Sequence, residues 1–115
     1  SIKHPSINKK ILILGLAYKK NIGDIRESPS IKIAQLLKKL NFELYFNDPY
    51  VNINQLKNLK LKKIEINKKN LKKFRYTLCV TDHDVYDYVK ILEHSNFIVD
   101  TRNRFPLRSK KVIST

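Results

Sequence analysis

Lys19, Lys20, Arg26, His83 and Arg102 carry positive charge or can accept it, and they sit in three short segments of a 115-residue chain. Each segment follows a run of largely apolar residues. The first, GLAYKKNIGDIRESPSI (residues 15–31), is unusual for its length. A turn from a strand into a helix normally takes two to six residues, whereas here about a dozen intervene. They carry two lysines, an arginine, an aspartate and a glutamate. Lysine offers a mobile point charge, and arginine offers a planar fork that grips oxygens in pairs. Gathered at one place, such groups suit a doubly charged diphosphate.

Other reactive residue types read differently. Cys79 alternates within the apolar run YTLCVT with no evident base. Apolar surroundings raise a thiol's pKa, so Cys79 is expected to be a buried structural thiol. The triplet Asp82-His83-Asp84 has metal-ligating side chains but lacks the further ligands a site would need. It is expected to form a turn in which Asp82 or Asp84 caps the next helix and His83 lines the cleft. Asp100 is expected to order its own loop. No catalytic residue and no metal ligand is assigned.

The elements that must position the cations are legible in outline. KKILILGL (residues 9–16) is almost fully apolar and ends at Gly15, the pattern of a strand buried on both faces. Ser28 and Pro29 open a helix, one as cap and one at the first helical position. In that helix Ile33, Leu36, Leu37 and Leu40 fall at helical spacing and predict its inner stripe, and Asn41 predicts its stop. FELYFNDPY supplies a second strand and a turn at Asp48-Pro49. Residues 51–74 are the least patterned, with KKIEI as a short strand. YTLCVT and NFIVDT read as buried strands around the helix DHDVYDYVKILEHS, with Val85, Tyr88, Val89 and Leu92 inward, and KKVI reads as an edge strand.

Strand, helix, strand, repeated, predicts an α/β fold: an open, mostly parallel sheet of five or six strands with helices on both faces, a Rossmann-like three-layer sandwich. Right-handed crossovers bring every strand-to-helix loop to the same sheet edge. Ligands bind there, where the strand order reverses. Residues 17–26, 81–84 and 100–104 should therefore surround one cleft. The first turn lacks G-x-G-x-x-G, so side-chain cations must do what backbone amides do in a dinucleotide site.

Composition narrows the alternatives. A single domain over residues 1–115 accommodates an ordinary core, and 42% hydrophobic residues argue against a disordered tail. No apolar stretch approaches the roughly 20 residues that cross a bilayer, and no secretory h-region opens the chain. A single cysteine forms no intrachain disulfide, and a reducing cytoplasm is the expected location. The net charge of +14 invites a nucleic-acid-binding reading. The excess is mostly dispersed lysine, however, without the arginine and aromatic platforms of such modules. A non-catalytic, receiver-like α/β interaction domain is the other alternative, and the cations around its would-be acidic cluster disfavour it.

In order and spacing, GLAYKKNIGDIRESPS, NDPYV, VTDHDVYDY and IVDTRN resemble the C-terminal domain of the UDP-glucose/GDP-mannose dehydrogenases, from about residue 9 to 105. GLAYK…RESPS with VDTRN most resembles the branch acting on UDP-N-acetylglucosamine or UDP-N-acetylmannosamine. The resemblance implies an NAD-dependent enzyme that oxidises a nucleotide sugar's primary alcohol to a carboxylate for surface polysaccharides. It implies an N-terminal domain that binds NAD, a catalytic cysteine, and a central domain through which the enzyme forms homo-oligomers. By position, Tyr18, Lys19 and Arg102 would contact the UDP-sugar, and Arg26 would face NAD. Lys20 stands where many relatives have proline and receives no role. Since this chain shows neither glycine fingerprint nor catalytic-cysteine motif, it is expected to be one domain of a larger dehydrogenase, inactive alone.

Overall fold

A computed structural model describes residues 9–17, 19–21, 23, 25, 28–52, 60–106 and 109–114. The strands are β1 (Lys10–Leu14), β2 (Glu43–Asn47), β3 (Lys62–Lys63), β4 (Tyr76–Cys79), β5 (Phe97–Asp100) and β6 (Val112–Ser114). The helices are α1 (Pro29–Lys39), α2 (Lys68–Leu71) and α3 (Tyr88–His94). The six strands form one sheet in the order β3-β2-β1-β4-β5-β6, and every pairing is parallel. That is the doubly wound arrangement, whose order reverses between β1 and β4.

Alternation along β1 builds the two cores. Ile11 and Ile13 face α1 and pack with Ala34, Leu44 and Phe46. Leu12 and Leu14 face the opposite way, toward Leu71, Phe74, Ile91 and Ile98 on the side of α2 and α3. A strand sandwiched between two helical layers must be apolar throughout, which is why β1 reads as an uninterrupted aliphatic run. Both edges are short, and β3 is two exposed lysines. Charge on an edge strand discourages pairing with another sheet. Among the described residues no helix is long and apolar enough to cross a membrane.

The start of α1 is as expected: Ser28 is the N-cap, its Oγ accepts from the Ser30 amide, and Pro29 occupies the first turn. Asn41, with φ 67°, follows its end. The inner stripe is met in half: Ile33 and Leu37 pack against the core. Leu36 and Leu40 are each 58% exposed, whereas Ser30 and Ala34 are fully buried. Two hydroxyls set this rotation. Ser28 donates to the Leu16 carbonyl at 2.6 Å and Ser30 to the Gly15 carbonyl at 2.9 Å, tying the first turn of α1 to the end of β1.

α3 also begins later than expected. Its N-cap is Asp87, whose Oδ1 accepts from the Lys90 amide, and not Asp82 or Asp84. Val85 and Val89 lie outward, and Ile91 is the fully buried residue of α3.

Candidate functional site

Lys19, Lys20, Pro29, Asp82 and Arg102 line an open cleft of about 630 Å³ beside the carboxyl ends of the strands, at the reversal of strand order. The two lysines come from the β1–α1 loop, Asp82 from the β4–α3 loop, and Arg102 from the loop after β5. Loops far apart in sequence thus deliver three cations to one wall. Among the described residues the Lys19 ammonium makes no ion pair, while Lys20 lies a loose 4.0 Å from Asp84.

The β1–α1 loop is held from below. Asp48, immediately after β2, is fully buried. Its Oδ2 accepts from the amides of Leu16 at 2.8 Å and Ala17 at 3.0 Å, and its Oδ1 accepts from the Tyr50 amide at 2.9 Å. His83 Nε2 lies 2.9 Å from the same Oδ2. Burial pushes the Asp48 pKa up, but the hydrogen bonds from His83 and from the Ala17, Tyr50 and Leu16 amides outweigh it. They hold the carboxyl below its ordinary value.

Gly15 lets this loop pass close to the one after β4. Its φ is +86°, and a Cβ there would meet the Thr81 carbonyl oxygen at 2.4 Å. Thr81 closes the crossing by donating from Oγ1 to the Ala17 carbonyl at 2.6 Å.

Arg102 and Arg104 divide the remaining work. The Arg102 Nε donates to the Val80 carbonyl at 2.8 Å, laying the side chain over the end of β4. Its amide donates to Asp100 Oδ1, and the Phe105 amide donates to Asp100 Oδ2, so Asp100 does order its own loop. Arg104 bonds Asp82 and Asp84 at 3.1 Å each and lies over the Tyr88 ring at 4.4 Å. It pairs the carboxylate of Asp82, leaving the cleft with a cationic balance.

Lys19 and Arg102 therefore meet at one cleft, as the loop argument requires. Tyr18 and Arg26 lie outside the described residues. His83 does not line the cleft: it is fully buried beneath the loop. An imidazole bonded on both sides by a carboxylate and a backbone amide has no reason to face solvent. Cys79 is buried, and desolvation followed by the nearby Asp100 charge pushes its thiol up to about 12. Sequence reasoning gave Asp48 only a turn and gave Arg104 no role. The signals were an aspartate directly after a strand in NDPY and a second arginine in TRNR.

The described residues of the β1–α1 turn do not fit a dinucleotide. Ser28 already caps the helix amide, and the Ser28 and Ser30 hydroxyls are committed to β1 carbonyls. Among these described residues a pyrophosphate would find no glycine-lined cradle.

A sequence profile of the UDP-glucose/GDP-mannose dehydrogenase family, UDP binding domain, matches residues 12–106. UDP-glucose 6-dehydrogenase 1 of Glycine max is 49% identical over 51 residues, covering 43% of this chain and 10% of that protein. UDP-glucose 6-dehydrogenase of Gallus gallus is 50% identical over 44 residues, covering 38% and 9%. The matched segments thus span about a tenth of the length of these curated relatives. Among solved structures, a ternary complex of GDP-mannose dehydrogenase from Pseudomonas aeruginosa superposes with a TM-score of 0.70 at 17% identity, over 93% of this chain and 28% of that one. The UDP-N-acetyl-mannosamine dehydrogenase Cap5O from S. aureus gives 0.64 at 24% identity, over 93% and 26%. At these identities the superpositions speak to the fold.

Proposed function

This chain belongs to the UDP-glucose/GDP-mannose dehydrogenase family as its UDP binding domain, and we propose that Lys19 and Arg102 hold the diphosphate of a UDP-sugar between them. One observation carries the reading: these two cations, from loops that follow different strands, line the same cleft. A diphosphate offers two charged groups with several acceptor oxygens. A mobile ammonium on one side and an anchored guanidinium on the other are complementary to it.

The domain is proposed to serve a larger NAD-dependent 6-dehydrogenase. That enzyme would oxidise the primary alcohol of a UDP-N-acetylhexosamine to a carboxylate, in the cytoplasm, for surface polysaccharide synthesis. Tyr18 would lie against the UDP-sugar and Arg26 would face NAD, which another domain of the enzyme would bind. Homo-oligomers would form through a further domain. The hexosamine branch is supported by the form of the motifs GLAYK…RESPS and VDTRN. UDP-glucose is the second reading, favoured by the names of the curated relatives. Nucleic-acid binding is favoured by the net charge of +14 alone.

Calorimetry of the 115-residue chain against UDP, UDP-N-acetylglucosamine, UDP-glucose and a random DNA duplex tests the proposal. UDP is expected to bind with Kd on the order of 0.1–1 mM, since a separate domain bears the whole association cost. The three uridine ligands should bind alike if the domain reads only the nucleotide. Preference for the duplex over UDP would favour the polyanion reading instead.

A further inference from the structure

We infer that His83 and Asp48 are positioning residues that set where Lys19 meets the phosphate, an inference that rests on the diphosphate reading of the cleft. Beyond β1, Leu16 and Ala17 on one side and Asn21 on the other are held by one buried pair. At the near end Asp48 Oδ2 accepts from the Leu16 and Ala17 amides. At the far end His83 Nδ1 accepts from the Asn21 amide at 2.6 Å. Between the two grips, Lys19 and Lys20 stand exposed on the cleft.

The donor and acceptor roles follow from the chemistry. A backbone N–H can only donate, so the Nδ1 that faces Asn21 is the acceptor and the ring proton sits on Nε2. Nε2–H then donates to Asp48, and Oδ2 accepts from three N–H groups at once. A carboxylate that orients a histidine through one nitrogen fixes what the other nitrogen does. Here that function is to hold a loop amide. Both side chains are fully buried, so water does not compete for these bonds.

Asn21 adds a second tie. It has φ 65°, its Nδ2 donates to Asp84 Oδ2, and its Oδ1 accepts from the Asp84 amide. The turn that carries the lysines is therefore registered against the β4–α3 loop by His83 and Asp84. The Tyr50 and Tyr86 rings pack on His83, with centroids 4.7 and 5.8 Å away, and restrict its ring.

Two near-isosteric variants of the 115-residue chain divide the relay. His83→Asn keeps an acceptor close to the Nδ1 position but gives up the reach to Asp48. His83→Gln keeps a donor close to the Nε2 position but removes the acceptor for Asn21. Each is titrated with UDP by amide NMR, and amide hydrogen exchange is read at Leu16, Ala17 and Asn21. We expect His83→Gln to raise Kd about tenfold and to deprotect Asn21, with the UDP-induced shift at Arg102 retained. His83→Asn should keep the protection of Asn21 and stay within about threefold of wild-type Kd. A purely structural histidine would lower the melting temperature in both variants without separating them in Kd.

Wild-type Kd and wild-type Asn21 protection in His83→Gln would overturn the inference. If the wild-type chain fails to bind UDP, the diphosphate reading of the cleft is what fails. The Asn21 protection in the two variants still decides whether His83 holds the loop.

Discussion

Arg104 Nη1 stands 3.1 Å from Asp82 Oδ2, and Nη2 of the same guanidinium stands 3.1 Å from Asp84 Oδ1. Asp82 lines the cleft, and its carboxylate would repel a phosphate if left unpaired. Arg104 belongs to the loop after β5, so the pairing also joins that loop to the one after β4. Removing Arg104 should weaken UDP binding although it does not line the cleft. Arg104→Gln is expected to raise the UDP Kd about fivefold, less so as salt screens the exposed charge. Arg104→Gln with Asp82→Asn should recover most of the loss. A double variant no better than the single one would show that Arg104 acts otherwise.

The Asp48 carboxylate makes stability depend on pH in a definite direction. Its folded pKa is depressed below the ordinary 3.8, chiefly because His83 and the loop amides outweigh burial. The contribution is therefore fully present above about pH 4, and it is lost as pH falls through the folded value. Asp48→Asn sets an amide N–H against a backbone donor in a buried site and should cost about 2–4 kcal/mol at pH 7. Urea unfolding from pH 7 down to pH 2.5 checks both. The wild-type-minus-variant difference should be level above pH 5 and shrink below pH 4. A difference that grows on acidification would contradict the account.

Gly15 is a backbone position with little freedom to change. At φ +86° a side chain is strained, and its Cβ would stand 2.4 Å from the Thr81 carbonyl oxygen. Gly15→Ala should destabilise the chain by about 2–4 kcal/mol, combining the left-handed backbone penalty with the displacement of Thr81. Denaturant midpoints measure it. A loss under about 0.5 kcal/mol would mean that the β1 and β4 loops part without cost.

The sequence made the scaffold legible where single residues act locally. Ser28 and Pro29 start α1, Asn41 follows its end, and the aliphatic run of β1 states that both its faces are covered. Topology then carried Lys19 and Arg102 to the same edge without any knowledge of side-chain positions. On α1, Ile33 and Leu37 do face the core, but periodicity, which weighs only apolar side chains, also assigns Leu36 and Leu40 there. Ser30 turns inward to reach a carbonyl that is distant in sequence, and Leu36 and Leu40 are left outside. His83 was misplaced for the same reason. Its charge suggested the cleft, but its partners, Asp48 and the Asn21 amide, lie 35 and 62 positions away. Partners at such separations leave no local pattern.

The central claim is that Lys19 and Arg102 grip one diphosphate, and the preference for UDP over UMP measures it most directly. Titrations of wild type, Lys19→Ala, Arg102→Ala and the double variant with both nucleotides would supply the values. A charge-assisted hydrogen bond contributes about 1.5–3 kcal/mol, so the account predicts a wild-type preference of at least about tenfold that shrinks in each single variant and nearly vanishes in the double. A UDP preference left intact in both single variants would contradict it.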